Sequence, residues 1–516
     1  MSLPTKTETN ETRPARGSLV RELGTVDAAM IVVGSMIGSG IFITSAESAR
    51  LVGAPGWLLV AWALSGLMTI SGSLCAAEIA AMMPRAGGQY VFLREAYSPM
   101  WGFLFGWAMF LVVQTGTIAA VAVAFAKFLG VFFPRIAADN YAVEPIRLGG
   151  YAVSLSSQQL VAVMLVAFLT MVNMRGLSLG KWIQNTFTFT KTAALIGLIL
   201  VGLFLGSNFE SAAWTSPWWD SAANGWDPRS LVADRPLEGA AALPLLLGLA
   251  MIGPLFSQSA WNNVTFTGGE VRDPGRTLPR ALILGVTGVV LLYLLANVAY
   301  VVTLKFTAIQ NAPQDRVGTA VMETIFGRPG GFIMAGAILI STFGCVNGLV
   351  LAGARVYYAM AQDRLFFRTI ATTNRHHVPA AALVAQGIWA ALLVLPVTVS
   401  AQGDGSVKYG NVYNELLEYV IPVDVTFYTL MVAAVIALRM KAPDLDRPYR
   451  TIGYPLPVLT YITLAVLLIL DFIYLKPLTS GKGFLIVLAG IPVYLIWSRV
   501  AAQRRVHGAP AVVPDT

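Results

Sequence analysis

The chain alternates long apolar windows with short polar connections. Windows long enough to cross roughly 30 Å of hydrocarbon fall at Val26 to Ala46, Trp57 to Met83, Met100 to Phe133, Leu160 to Val172, Ile183 to Leu205 and Ala241 to Thr267. Six more follow at Ala281 to Leu304, Phe332 to Ala361, Pro379 to Val399, Val412 to Leu438, Tyr454 to Tyr474 and Phe484 to Val500. The fourth is short. Two others are interrupted at their middles, one by Gly34-Ser-Met-Ile-Gly38-Ser-Gly40-Ile-Phe42, the other by Gly253-Pro-Leu-Phe256-Ser-Gln-Ser259-Ala-Trp261-Asn262-Asn263. Unwound backbone in lipid leaves amides and carbonyls unpaired at a cost of several kcal/mol each, roughly, unless protein, water or ligand satisfies them. Paired interruptions therefore point to a binding site at membrane depth. Dividing the first ten spans after the fifth puts each broken segment first in its half, as an inverted 5+5 repeat requires.

Composition agrees: 56% of residues are hydrophobic, 12% are charged and the mean hydropathy is +0.67, a membrane composition. The formal net charge of +8 forms no contiguous patch and accompanies no nucleic-acid motif. The positive residues recur instead in alternate connections: Arg85 and Arg94; Arg175 and Lys181; Arg272, Arg276 and Arg280; Arg364, Arg368 and Arg375; then Arg439, Lys441, Arg447 and Arg450. The positive-inside rule makes that side cytoplasmic, and an even number of spans puts both termini there. The longest opposite connection, Ser207 to Gly239, carries Trp214, Trp218, Trp219 and Trp226 and reads as an extracellular cap with interfacial aromatics. Residues 1–24 are polar, lack the apolar core of a cleaved signal, and read as a disordered cytoplasmic leader. Cys75 and Cys345 both fall in spans, which gives neither a disulfide framework nor zinc spacing.

Three histidines, none in a span, leave no nucleophile and base pair or ligand cluster for a membrane enzyme. A channel would show a filter or a ring of repeated charges. His376 and His377 are adjacent in a cytoplasmic loop and read as solvated; no metal or cofactor is expected.

The chain resembles the amino acid/polyamine/organocation transporters, and within them the L-type amino acid transporter group, over nearly its whole length. The resemblance rests on Gly34 to Phe42, Glu78, Pro84-Arg-Ala-Gly-Gly-Gln-Tyr90, Phe256-Ser-Gln-Ser-Ala-Trp261, Glu270-Val-Arg-Asp-Pro-Gly-Arg-Thr-Leu-Pro-Arg280 and Phe343-Gly-Cys-Val-Asn-Gly348 with Arg355, in this order and spacing. It implies an all-α polytopic membrane protein with a LeuT-type 5+5 inverted repeat and broken helices 1 and 6. Residues 25–206 and 240–440 would be the two five-helix repeats, 207–239 the extracellular loop, 441–502 spans eleven and twelve, and 503–516 a cytoplasmic tail.

It also implies a substrate site. The amides of Ser39, Gly40 and Ile41 would meet a carboxylate at the positive end of a half-helix. The carbonyls of Ile37, Phe256 and Ser259 would accept from a protonated α-amine, and the Phe256 ring would cover the substrate. Packing alone stays open for Gly34 and Gly38 as small residues at a helix contact, and for Phe256 as a core side chain. Asn262, Asn263 and the Gln114-Thr-Gly-Thr117 run could contact a substrate side chain or bond neighbouring helices. The group often carries a small, flexible run where this chain has Gln258, Ser259 and Ala260, and the added Cβ atoms argue against large substrates.

Lys191 matches a lysine of span five that stands between helices one, five and eight, where sodium-coupled relatives of the fold hold sodium. The alternative is snorkelling to the interface. Glu78 and Asp424 read as helix-end or interhelical contacts, with a proton relay the alternative. The expectation is thus a sodium-independent exchanger or facilitator of neutral L-amino acids. A polyamine or basic amino acid antiporter and a proton-coupled symporter are the alternatives; the former needs acidic or aromatic groups in the pocket for a second cationic end, and spans one, three, six and eight offer no obvious acid. The connection from Pro134 to Gln159 lacks the cysteine through which eukaryotic L-type members join a glycoprotein. A single chain, monomeric or weakly self-associated, is therefore expected in a bacterial-type inner membrane.

Overall fold

The computed structural model describes residues 21–148, 151–207, 213–232, 236–401, 407–409 and 412–506. Most of the two tails lies outside these residues. Among the described residues, eleven helical segments are long and apolar enough to cross a membrane. Span one consists of two helices, Thr25–Met36 and Gly40–Val52, and span six of Ala242–Ala250, Ile252–Ser257 and, beyond a break, Asn263–Phe266. Both interruptions fall where glycine and polar residues disrupt the apolar pattern. Span two is Pro55–Met82, span five Leu177–Phe204, span seven Pro274–Thr303 and span eight Arg328–Gln362. Span two packs along span seven and span three, Pro99–Phe132, along span eight, the pairs that a 5+5 repeat relates.

Span nine departs from expectation. Its helix, Ala380–Leu393, has 14 residues, about 21 Å at 1.5 Å per residue, and the rest of the apolar window is a strand. Pro396 cannot continue the helix, and the β-branched run behind it becomes β3. Here β1 (Tyr141–Leu148) and β2 (Tyr151–Ser156) form a hairpin in the connection between spans three and four, β3 is Pro396–Ala401 and β4 is Val407–Tyr409. The antiparallel sheet has order β1-β2-β3-β4, so a protein expected to be all helical carries a small sheet joining its two halves. Gln159 fastens this junction, donating through Nε2 to the Val394 and Leu395 carbonyls at 2.9 and 3.1 Å.

The tryptophan-rich connection clamps the end of span one. Trp226 Nε1 donates to the Leu51 carbonyl at 3.0 Å and the Ser221 hydroxyl to the Val52 carbonyl at 2.7 Å, while Trp57 Nε1 donates to the Trp219 carbonyl at 3.0 Å. Carbonyls at a helix C-terminus have no donor within the helix, and this connection supplies donors to two of them. In span three, a π-helical turn at Met109–Val113 loosens carbonyls from the regular ladder. Tyr357 OH reaches that of Met109 at 3.2 Å and Trp389 Nε1 that of Leu111 at 3.1 Å.

Candidate functional site

The two breaks meet. Gly40 lies so close to Ser257 that a Cβ there would clash with it, and Thr44 Oγ1 lies 3.2 Å from Ser257 Oγ. The second half of span one therefore runs against the first half of span six, and Ser48 Oγ ties it to the Ala250 carbonyl at 2.8 Å. The packing alternative for the glycines holds beside the site reading: a Cβ at Gly34 would clash with Gln184 and Thr188 of span five.

The freed carbonyls of span one are met in turn by the protein. Lys191 Nζ donates to Gly34 O at 2.5 Å and Ile37 O at 2.6 Å, with Ser341 O at 3.5 Å. Cys345 Sγ reaches Ser35 O at 3.3 Å and Tyr293 OH reaches Met36 O at 2.9 Å. Ser341 Oγ meets Ile37 O at 3.2 Å and Gly38 O at 3.1 Å. Lys191 is buried between spans one, five and eight, so snorkelling is ruled out. The amide side differs. Gly40 and Ile41 open the second half-helix, with Ser39 as its N-cap, and the first amides of a helix have no acceptor inside it. They present donors and the positive dipole end to the break.

Two of the expected acceptor carbonyls already hold protein donors. The Ile37 carbonyl, expected to take an α-amine, already accepts from Lys191 and Ser341 and so has both lone pairs engaged. The Phe256 carbonyl accepts from Ser259 N at 3.1 Å and Ser259 Oγ at 2.8 Å, leaving Ser259 as the member of the expected carbonyl set with no donor assigned among the described residues. The Phe256 ring is buried at the end of Ile252–Ser257. Asn262 is buried in a network, donating to Gln89 Oε1 at 2.6 Å and accepting from Tyr428 OH at 2.9 Å; its amide braces spans six and ten. Gln114 donates to the Leu349 carbonyl at 2.8 Å, and Thr115 and Thr117 bond their own helix. Glu78 is an interhelical contact, as expected: Arg439 pairs with it through Nε at 2.9 Å and Nη2 at 2.7 Å, and Thr451 N donates to it at 2.7 Å.

Ala260 sits in the second break at φ 63°, the left-handed region, which costs a residue with a Cβ roughly 1–2 kcal/mol. Ala260→Gly should accordingly melt at or above the wild-type temperature in detergent. Ala260→Val should melt clearly lower, because a β-branched residue is a strong outlier there. A marked loss of stability in the glycine variant would contradict the strain.

At the end of the bundle where residues 22 and 23 sit, a buried ion pair ties span eight to the connection after span six. Arg355 Nη2 lies 3.1 Å from Glu270 Oε1 and Nε 3.3 Å from Oε2, and Arg355 Nη1 also bonds the Leu351 carbonyl. The Glu270 carbonyl accepts from Glu22 N and Leu23 N, each at 2.9 Å, and Arg272 N returns to Leu23 O at 2.9 Å. Beside it, Tyr90 OH donates to Asp363 at 2.7 Å, and Arg94 pairs with the same carboxylate. Burial, then the Asp363 charge, pushes the Tyr90 hydroxyl well above its ordinary value, so it stays a donor.

Sequence reasoning passed over Ser257, Ser341 and the span-seven tyrosines, whose partners are remote in the chain. Asp424, expected to be a helix-end or interhelical contact, also lines a small cavity against the span-six break. Cys75 and Cys345 are buried free thiols.

A bundle of apolar helices enclosing two facing helix breaks defines a multi-pass membrane transport protein. Residues 23–497 match the amino acid permease family model, and the chain belongs to that family. It is 28% identical to the human large neutral amino acids transporter small subunit 2 over 483 residues, 93% of this chain and 81% of that protein. It is also 28% identical to the serine/threonine exchanger SteT of Bacillus subtilis (strain 168), over 92% of this chain and 96% of that one. Identity to the human b(0,+)-type amino acid transporter 1 is 27%, over 94% and 89%. The chain is an amino acid transporter of the lipid bilayer and not an enzyme.

Proposed function

We propose that the chain moves neutral L-amino acids without sodium, as an exchanger or facilitator. Residues 25–206 and 240–440 act as two repeats that rock around the breaks to give alternating access. The observation that carries this is the asymmetry of the span-one break, where protein donors take the carbonyls while Gly40 and Ile41 open a half-helix toward the facing break. A carboxylate suits those amides. The α-amine suits the Ser259 carbonyl, and rotation of the Ser259 hydroxyl frees a position at Phe256, whose ring covers the substrate. The Lys191 ammonium holds the place that a coupling cation would otherwise fill. The chain works alone in a bacterial-type inner membrane with both termini cytoplasmic.

Purified protein in liposomes, with no second subunit, should exchange labelled neutral amino acids at equal rates in sodium and in choline. Methyl esters and N-acetyl derivatives should compete poorly, since each loses a charge-assisted bond set worth roughly 1.5 to 3 kcal/mol per bond. An ester that competes as well as its parent acid would remove the carboxylate from the amides of Ser39 to Ile41. A marked loss of rate in choline would overturn sodium independence.

A further inference from the structure

A larger cavity, of about 610 Å³, lies where spans three and nine end, and no residue of either break lines it. Two cations do: Lys127, in the last two turns of span three, and Arg316, in the connection between spans seven and eight. Val123, Val131, Val394 and Val397 give it an apolar wall. Lys127 Nζ donates to the Gln314 carbonyl at 3.0 Å, which uses one of its three N–H groups. The Arg316 guanidinium stands over the Phe128 ring, 5.8 Å from the centroid, and its N–H groups have no hydrogen bond assigned among the described residues. Neither cation has an ion pair among those residues. Asp315, next to Arg316, is taken by Arg50 at 2.8 Å, and Asp139, the one acid among the lining residues, is exposed. The two half-buried cations therefore share a cavity and repel each other. The turn that carries Arg316 is also strained, with Gln314 at φ 53° and Asp315 at φ 62°, a conformation that a Cβ disfavours. Such strain persists only where the surroundings hold it, and it concentrates at ligand clamps and other functional sites. Lys127 holds this turn from span three and Arg50 from span one.

We propose that this cavity binds a phosphate ester, whose charged oxygens are shared between Lys127 and Arg316. A phosphate carries its charged oxygens around one centre and can meet a guanidinium fork and an ammonium together, whereas the fork alone uses both oxygens of a carboxylate. The valine wall suits the glycerol and first methylenes of an anionic phospholipid, and the same two cations would take a soluble phosphate ester. Lys127 belongs to the first half of the chain and Arg316 to the second. A bound phosphate therefore ties the strained connection to span three and stabilises the folded chain, independently of which amino acid is carried.

Thermal melting of the full chain in a neutral sugar detergent reads the site without transport. Glycerol phosphate and dioctanoyl phosphatidylglycerol should each raise the wild-type melting temperature by about 3 °C when present roughly 100-fold above its Kd. Sodium chloride and sodium acetate at equal ionic strength should not. Lys127→Gln and Arg316→Gln should each need roughly 10-fold more ligand for the same shift, because each loses charge-assisted bonds. Arg135→Gln, at an exposed cation of the neighbouring connection that does not line the cavity, should titrate as the wild type does. If Lys127→Gln fails to fold because it releases the strained turn, Arg316→Gln decides. A lower working concentration for the short-chain lipid than for glycerol phosphate identifies a lipid headgroup as the source, and an equal or higher one a soluble phosphate ester. Equal shifts in acetate or chloride, an equal shift with dioctanoyl phosphatidylcholine, no shift with either phosphate, or cavity variants that titrate as the wild type would overturn the proposal.

Discussion

Lys191→Ala is expected to lower exchange by about 100-fold or more while leaving a folded protein. The ammonium makes two short bonds, to the carbonyls of Gly34 and Ile37, and bonds to a charged group contribute roughly 1.5–3 kcal/mol each. Together these are roughly 3–6 kcal/mol, and about 1.4 kcal/mol is a tenfold change in an equilibrium. Without them, the Gly34 carbonyl loses the ammonium and the Ile37 carbonyl keeps only Ser341 Oγ, where span one is already unwound. The brace between spans one, five and eight is then lost in the conformation that the cycle must pass through. Exchange of labelled substrate, normalised to monodisperse protein, measures the effect. Rates near wild type would reduce Lys191 to a packing residue whose charge transport does not need.

Breaking the Arg355 and Glu270 pair should cause the largest loss of stability of any single change considered. Both side chains are 1% exposed, and removing one partner of a buried pair strands the other charge, at a cost of about 3–5 kcal/mol. Arg355→Ala leaves Glu270 as that stranded charge. The double change Glu270→Gln with Arg355→Met removes both charges and should recover much of the loss, because desolvation opposes a buried pair even when it is intact. Thermal melting of the wild type, Glu270→Gln, Arg355→Met and the double variant in one detergent gives the coupling directly. Additive losses in the double variant would show that the pair acts as two independent contacts. The Glu270 carbonyl also holds Glu22 and Leu23, so a loosened span-six connection should release this strap as well. Faster proteolysis before residue 24 in Arg355→Ala would report it.

The sequence alone determined what depends on local composition. Apolar windows located the spans, and glycine and polar residues inside Gly34 to Phe42 and Gly253 to Asn263 located both breaks, because helical backbone at membrane depth is interrupted only where protein, water or a ligand meets the freed groups. Lys191 was legible for the same reason: a charge several residues inside a span must find a partner. Residues 396–399 read as the end of a span because a short apolar β-branched run has the same hydropathy in a helix or a strand. Only pairing with β2 decided between them. Which donor takes which carbonyl was also a tertiary matter. The Ile37 carbonyl goes to Lys191 and Ser341, Asn262 to Gln89 and Tyr428, and Asp424 reaches the cavity beside Gln258 only because span ten packs against the span-six break. Hydrogen bonds act over about 3 Å, and the partners come from helices far apart in the chain, so no periodicity along the sequence encodes them.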